Sequence, residues 1–349
     1  MPTTYAIIQG NKYMDATLYT GSNAAATIIN AGQFQPDFAW FKRRDASASN
    51  ALNDSVRGVT KSLSSNLTDS EYTSAGGKDL TAFNSNGFSL GPVDVWSSYN
   101  ASGASLVAWQ WKAGAGSNVT NTTGTITSTV SANTTAGFSI VTYTGQNSDG
   151  TVGHGLGAVP QFIIIKNRTS TSNWVCYQAN LGNTGAIELS TNSAFYVKNY
   201  WQNTTPTSSV FSLAYNAGNN NGTLLSGQNY VAYCWTPIPG FSQFGSYTGN
   251  GSADGPFIYT GFRPKYWLIK CTSAVTDWFI FDSSRNLYNV TNSRLWADTT
   301  NAESSNVNTL DLLSNGFKLR DADGAWNASG ATYVYACFAE TPFKYAGAR

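Results

Sequence analysis

The chain has 349 residues, with 20 Lys plus Arg, 19 Asp plus Glu and a formal net charge of +1. This balance offers no electrostatic field that would attract nucleic acid or an anionic membrane, so we expect neither as a partner. Charged residues make up only 11% of the chain and aromatic residues 14%. Thr, Val, Tyr, Phe and Trp favour strands, and helix formers are scarce, so we predict an all-β protein.

The chain begins Met1-Pro2-Thr3-Thr4, without a basic region followed by an apolar stretch, which a secretory signal needs. No run approaches the roughly 18 apolar residues of a membrane span. We therefore expect a protein that is made in the cytoplasm without a signal peptide and does not insert in a membrane.

A set of landmarks recurs three times along the chain. The phrase Tyr-Thr-Gly stands at 19–21, 143–145 and 247–249. Each Tyr is followed at the same distances by a proline and then a lysine, which are Pro36, Pro160, Pro264, Lys42, Lys166 and Lys270. The phrase NASG at 100–103 returns at 327–330, and LLSG takes its place at 224–227. Each opens a closing run of apolar and aromatic residues, so we predict three copies of one unit.

The landmarks divide the chain into three tandem domains. We predict β-sandwich repeats at 1–113, 137–240 and 241–349, and a Gly/Ser/Thr/Asn-rich linker or extended arm at 114–136. In the second repeat, strand-forming runs at 137–143, 161–167, 173–178, 186–190, 210–215 and 229–235 are separated by turn residues. Such short antiparallel strands predict a jelly-roll, lectin-like sandwich. The closing run is apolar on both alternating faces, which predicts a central strand covered on both sides.

Two recurring patterns are candidate binding residues. Asp54 and Arg57 recur as Asp282 and Arg285, and the second repeat lacks both. A carboxylate beside a guanidinium suits a sugar or a partner chain, but it equally suits a turn held by its own ion pair. Trp174 and Trp278 stand at matching positions, and each suits either a sugar ring or a core. For both patterns the structural interpretation is favoured, and the binding interpretation stays open.

Catalytic motifs do not stand out. His154 lies between glycines and is predicted to be a solvated turn residue, and the cluster Lys42-Arg43-Arg44 is predicted to be a solvated strand end. No Ser-His-Asp, zinc or phosphate-loop pattern is visible in the sequence. We therefore expect no catalytic residue, metal or cofactor, and no enzymatic activity.

The four cysteines fit no metal-binding or redox spacing. We expect them to be buried apolar residues, and the alternative is pairing within a repeat, Cys176 with Cys234 and Cys271 with Cys337.

The stretches 246–270, 277–286 and 152–166, with SNGFKL and NASGATYVYACF, resemble a family of uncharacterised β-rich domains in tailed-bacteriophage virion proteins. The resemblance covers all three repeats. It implies a sandwich similar to laminin-G or concanavalin-type domains and a location in the virion beside other phage structural proteins. It carries over no binding residue, and the missing Asp and Arg of the second repeat argue against one role for all three.

Three functions follow as hypotheses. The first is a non-enzymatic tail-fibre or tail-tip protein that contributes to recognition of host-surface glycans and forms a homo-oligomer, a trimer or a multicopy array on the virion. The second is a capsid decoration or head-fibre protein, in which three sandwiches in one chain mimic a trimer at a threefold site. The third is a tailspike-like glycan hydrolase, and the lack of β-helix repeats counts against it.

Overall fold

The computed structural model describes residues 7, 9–95, 97–215, 223–305 and 309–340. The predicted chain start, 1–4, and the end of the third repeat, 341–349, lie outside these residues. The described chain is almost entirely β, with one short helix, α1 (Gly324–Asn327), and 3-10 turns at Gly10–Lys12 and Ala179–Leu181. The predicted all-β class is confirmed. Below, the first segment is 9–113, the second segment is 114–240 and the third segment is 241–340.

The first segment forms one sheet of four strands and one of three. The larger sheet has the order β1-β9-β3-β4, the smaller has the order β2-β8-β7, and β5 pairs with β6. The strands are β1 (Met14–Thr20), β2 (Ala26–Ile29), β3 (Phe38–Arg43), β4 (Ala51–Asp54), β5 (Lys61–Ser62), β6 (Tyr72–Thr73), β7 (Leu80–Asn84), β8 (Gly87–Leu90) and β9 (Ser105–Trp111).

The second segment contains the largest sheet, with the order β10-β11-β12-β19-β14-β15-β16-β17, and a two-stranded sheet, β13-β18. The strands are β10 (Val119–Asn121), β11 (Ser128–Asn133), β12 (Phe138–Thr144), β13 (Gly150–Gly153), β14 (Phe162–Asn167), β15 (Val175–Gln178), β16 (Gly185–Glu188), β17 (Tyr196–Val197), β18 (Val210–Leu213) and β19 (Asn229–Trp235). Residues 114–136, predicted as a linker or arm, supply β10 and β11, and β11 pairs with β12.

The third segment has sheets with the orders β20-β27-β22-β23-β24 and β21-β26-β25. The strands are β20 (Ser242–Thr248), β21 (Phe257–Tyr259), β22 (Pro264–Cys271), β23 (Trp278–Asp282), β24 (Leu295–Trp296), β25 (Leu310–Leu313), β26 (Gly316–Leu319) and β27 (Thr332–Ala339).

One strand order therefore appears in each large sheet, as β1-β9-β3-β4, β12-β19-β14-β15 and β20-β27-β22-β23. In each, the closing strand of the segment lies between two neighbours, and all but its first residue is buried. The prediction of central closing strands, covered on both faces, is confirmed.

The recurring tyrosine fixes one corner of each segment. The Tyr143 hydroxyl donates to the carbonyl oxygen of Thr223 at 2.8 Å. The same bond joins Tyr19 to Tyr99 and Tyr247 to Trp326. Because buried hydroxyls need partners, this bond accounts for a tyrosine rather than a phenylalanine at the position.

The glycine that follows is required by close backbone approach. A Cβ on Gly145 would lie 2.1 Å from the carbonyl oxygen of Leu225. We expect Gly145→Ala to lower the free energy of unfolding by about 1–3 kcal/mol, the usual cost of overpacking, as measured by urea denaturation. Gly76→Ala is the matched control, since a Cβ there meets nothing within 4 Å. Equal losses in both variants would contradict the steric explanation.

Among the described residues, apolar side chains form three buried clusters. One belongs to the first segment and includes Phe41 and Phe88, and one belongs to the second and includes Tyr177 and Trp201. The largest is shared by all three segments, and we call it the central core. Its middle encloses a void of only about 10 Å³. The aromatic residues around that void are Phe38, Trp40, Trp111, Phe162, Trp235, Tyr266 and Phe338.

The described ends of the chain meet at this core. A Cβ on Gly10 would lie 2.9 Å from the carbonyl oxygen of Ala339 and 3.2 Å from the Phe241 ring. The first and third segments are therefore in contact, and the three segments close into a ring.

Candidate functional site

The three landmark lysines lie in the contacts between segments. Lys166 Nζ donates to the carbonyl oxygens of Ser172 in its own segment and Thr68 in the first, at 2.6 and 2.8 Å. Lys42 reaches Ala48 and, in the third segment, Thr299, and Lys270 reaches Thr276 and, in the second segment, Asn192. The lysine of the second segment thus contacts the first segment, that of the first contacts the third, and that of the third contacts the second.

Burial lowers the pKa of these amines, to about 7 for Lys166 and about 8 for Lys42 and Lys270. Asp69 faces Lys166 and partly offsets the effect. At pH 8 the Lys166 amine is mostly neutral in the folded chain but protonated in the unfolded chain, where its pKa is 10.5. The unfolded state then binds more protons, so this lysine makes the free energy of unfolding rise with pH above about 7.

We expect Lys166→Met to remove this contribution, which approaches about 1.4 kcal/mol per pH unit. The free energy of unfolding of both proteins is measured by urea denaturation from pH 6.5 to 8.5. The wild-type value minus the variant value should increase as pH rises. Lys61→Met is the control, because Lys61 bonds Thr73 at the surface. A difference that stays constant with pH would refute the expectation.

A second set of contacts follows the same direction around the ring. The Trp174 indole N–H donates to the Ser64 carbonyl of the first segment, and the Trp278 indole N–H donates to the Glu188 carbonyl of the second, both at 2.9 Å. At the matching position in the first segment, the Asn50 amide donates to the Trp296 carbonyl of the third at 3.2 Å. Trp174 and Trp278 are 0% and 1% exposed, so both belong to segment contacts.

The Asp-Ser-X-Arg residues form a charged chain across one junction. Arg57 pairs with Asp54 within the first segment and with Glu71, which in turn pairs with Arg168 of the second segment. The Tyr233 hydroxyl of the second segment donates to Asp54 at 2.8 Å. Arg57 and Asp54 have no exposed side-chain surface, so each charge depends on its partners.

The junction of the first and third segments repeats this chain. Arg285 pairs with Asp282 and Glu303, and Glu303 pairs with Arg44 of the first segment. The Trp109 indole donates to Asp282 at 2.9 Å. Burial opposes ionisation of Asp282, but Arg285 outweighs it and holds the pKa of that carboxyl below its ordinary value.

The junction of the second and third segments lacks the charged chain. The backbone N–H of Phe195 donates to the Thr272 carbonyl at 2.9 Å, as Glu71 does to Arg168 and Glu303 to Arg44. The four charged positions are occupied here by Gln178, Leu181, Phe195 and Thr272. All four charged residues are replaced together at this junction. Loss of only one of them would leave the charge of its partner buried without compensation.

The six predicted binding residues are thus placed in two kinds of contact, both inside the chain. Asp54, Arg57, Asp282 and Arg285 have no exposed side-chain surface, and the two tryptophans are equally buried. The contacts support the structural interpretation that the sequence left open, and we place no ligand on these residues.

Two sequence predictions about solvated residues are wrong. Lys42 is fully buried rather than a solvated strand end, while Arg43 and Arg44 pair with Asp45 and Glu303. His154 is also fully buried. Its Nδ1 accepts from the Leu156 N–H at 3.2 Å, which leaves Nε2 to donate to the Thr207 carbonyl at 3.1 Å. Burial lowers the pKa of His154, so the imidazole is neutral.

The cysteines behave as expected. Cys176, Cys234, Cys271 and Cys337 are all buried and none forms a disulfide. Burial raises the pKa of the Cys176, Cys234 and Cys337 thiols, which disfavours the reactive thiolate.

A cleft opens on the first segment between the β3–β4 turn, residues 62–72, Val95 and residues 97–99, and we call it the serine cleft. Its volume is about 680 Å³. Seven serines line it, among them Ser49, Ser70 and Ser97. Among its described lining residues there are three carboxylates, Asp69, Glu71 and Asp79, and no Lys or Arg.

Asp79 is a buried lining residue of this cleft. Its Oδ1 accepts hydrogen bonds from the Asp94 N–H and the Ser97 hydroxyl. Its Oδ2 is buried and has no hydrogen-bond partner. Tyr72, also in the lining, bonds to Asp94, and this bond raises the pKa of its phenol to about 12, so the hydroxyl stays protonated at neutral pH.

Sequence reasoning missed the serine cleft. Serine is common throughout the chain, so serines at 47–49, 62–64 and 97–98 give no contrast that would single them out. The only local signal is the long stretch between β4 and β7, which has more residues than a hairpin needs.

The part of the chain that the structure describes lacks two further features. No group of three or more His, Cys, Asp or Glu side chains there is arranged to hold a metal ion. No helix there is long and apolar enough to cross a membrane.

Comparison with known proteins identifies a family but no function. The model of a family described as "Domain of unknown function (DUF7483)" matches residues 9–342. No curated protein and no solved structure matches the chain. Function must therefore be argued from the contacts above.

Proposed function

Since the chain belongs to the DUF7483 family, whose function is unknown, we propose a role from its contacts and its sequence resemblance. It is a non-enzymatic structural protein of a bacteriophage particle, of the tail-fibre or tail-tip type, that contributes to recognition of host-surface glycans. It acts as a rigid support whose outer surfaces meet other proteins of the particle and the host.

The observation that carries this proposal is the closed ring. We take the three segments to be copies of one sandwich-forming unit, because their large sheets share one strand order and their lysines share one contact. Each copy contacts the next through buried hydrogen bonds and through the central core. One chain thus reproduces the closed arrangement that a trimer makes with three chains.

The non-enzymatic part is supported by where the reactive groups lie. His154 has both ring nitrogens engaged with the backbone and is fully buried. The cysteines are buried, and the buried Asp-Arg pairs are occupied with each other. These groups are held for stability, away from any position where a substrate would reach them.

The recognition part is supported by the neutral, hydroxyl-rich surface. Low charge suits shallow contacts with sugars, which are individually weak, and display in many copies raises avidity by roughly 10²–10⁴ when the geometry permits. The test is adsorption. Purified protein added to host cells should compete with phage particles for attachment, and gold-labelled antibody should mark the tail. No competition together with no particle labelling would end the proposal.

A capsid decoration protein is the second candidate, and the threefold arrangement of the ring favours it. A ring of three like segments matches a threefold position of a shell better than the axis of a single fibre. In this case the antibody labels heads, and particles that lack the protein lose heat resistance but still adsorb to cells.

A further inference from the structure

The serine cleft has the size and shape of a small-molecule site. Its volume of about 680 Å³ falls in the range of roughly 300–1,000 Å³ that such sites occupy. Its walls come from three separate stretches of the first segment and from Asp79. The 62–72 stretch is tied to the second segment by the Trp174 bond to Ser64 and the Lys166 bond to Thr68. The 47–51 stretch is tied to the third segment by the Asn50 bond to Trp296, so the ring holds two of the cleft walls in place.

The lining of the cleft disfavours anionic ligands. Asp69 and Asp79 bring negative charge, and the described lining offers no cation against it, so phosphates, sulfates and uronates are repelled. Glu71 is already neutralised by Arg57 and Arg168. What remains is a set of hydroxyls and carboxylate acceptors suited to a neutral ligand with many hydroxyl groups of its own.

Two lining residues have the chemistry that a sugar needs. Tyr72 is half-buried in the lining, and an aromatic ring there offers a flat apolar surface to a sugar face. Asp79 keeps one carboxylate oxygen without a hydrogen-bond partner. A buried acceptor of this kind calls for a donor, and none is present among the described residues.

We propose that the serine cleft binds a short neutral oligosaccharide, with serine hydroxyls and Asp79 as hydrogen-bonding groups and Tyr72 as the surface beneath the sugar ring. The site rests on the proposed recognition function and names its ligand class. It lies on the first segment, so the three segments of the ring do not contribute equally to recognition.

The test uses the whole chain and two cleft variants with matched controls. Tyr72→Ala removes the aromatic surface, and Ser70→Trp fills the mouth at an exposed position. Tyr288→Ala and Ser208→Trp make the same changes at exposed positions outside the cleft. Thermal melting first shows that all four variants keep the wild-type fold.

Binding is then measured on an array of neutral oligosaccharides and their sulfated and uronic counterparts, followed by calorimetric titration of the best neutral binder. Wild type and both controls should bind neutral sugars. Both cleft variants should bind at least about tenfold more weakly, a loss of about 1.4 kcal/mol.

Four results would overturn the site, and the first three are separable from failure of the proposed function. Unchanged sugar binding in both cleft variants, or a preference for acidic sugars, places recognition elsewhere on the molecule. Host-cell adsorption without any binding of neutral sugars does the same and leaves the recognition role intact. Release of reducing sugar from a bound oligosaccharide would show an enzyme and overturn both.

Discussion

Residues 114–240 expressed alone are expected to stay unfolded or to aggregate, although they contain a complete pair of sheets. One face of the large sheet, with Phe162, Ile164 and Trp235, packs only into the central core shared with the other segments. Alone, that face would be a large exposed apolar patch, and such patches drive association. The measurement is circular dichroism with thermal melting, which should show no cooperative transition.

The control is the whole chain cut once at the exposed stretch Ser117–Asn118 by an inserted protease site. The cut chain should remain assembled and melt cooperatively, because every buried contact survives. A cooperative melt for isolated 114–240 would instead support the three self-sufficient sandwiches that the sequence suggests.

Arg57→Leu is expected to lower the free energy of unfolding by about 3–5 kcal/mol, because it leaves the buried Asp54 carboxylate without its cation. The double variant Asp54→Gln with Arg57→Leu copies the residues found at Gln178 and Leu181. It should recover most of the loss, since no charge is then left uncompensated. Urea denaturation of both variants measures the difference.

Arg43→Leu is the control for that series. Arg43 and Asp45 pair at the surface, where their side chains are 26% and 38% exposed, and such pairs contribute about 1 kcal/mol or less. If the double variant proves no more stable than Arg57→Leu, the buried pair is not the unit of stability that the contacts suggest.

The strands of the second segment could be predicted from local pattern because each one is a short apolar run between turn residues. The expected runs at 161–167 and 229–235 correspond to Phe162–Asn167 and Asn229–Trp235. Alternation of side chains along a strand is a local property, so sequence alone carries it.

The contacts between segments could not be predicted. Lys42 looks solvated because arginines follow it, yet a carbonyl 257 positions away, on Thr299, accepts from its amine. Repeated landmarks predict that equivalent residues make equivalent contacts, but they do not say which copy supplies the partner. His154 was missed although its contact lies within one segment, since the Thr207 carbonyl that it bonds is 53 positions away along the chain.

The candidate site was likewise beyond local pattern. The residues of the serine cleft are ordinary in type and scattered over 47–99, so only folding brings them together. The Asp-Arg pairs and the two tryptophans stand out in the sequence because they recur. They recur because they form the contacts between segments of the ring.

Gly10 lies close to Ala339, so a short linker can join the two described ends of the chain. The order of the segments along the polypeptide can then be changed while the same segments stay in contact. A circular permutant that joins residue 340 to residue 9 through a short linker and opens the chain at 237–240 would run third, first, second. It would retain the contacts between neighbours around the ring, apart from the bonds of Ile238 with Phe241 and Ser242 at the opening. The ring of segments can therefore be opened at a different junction without changing which segments are neighbours.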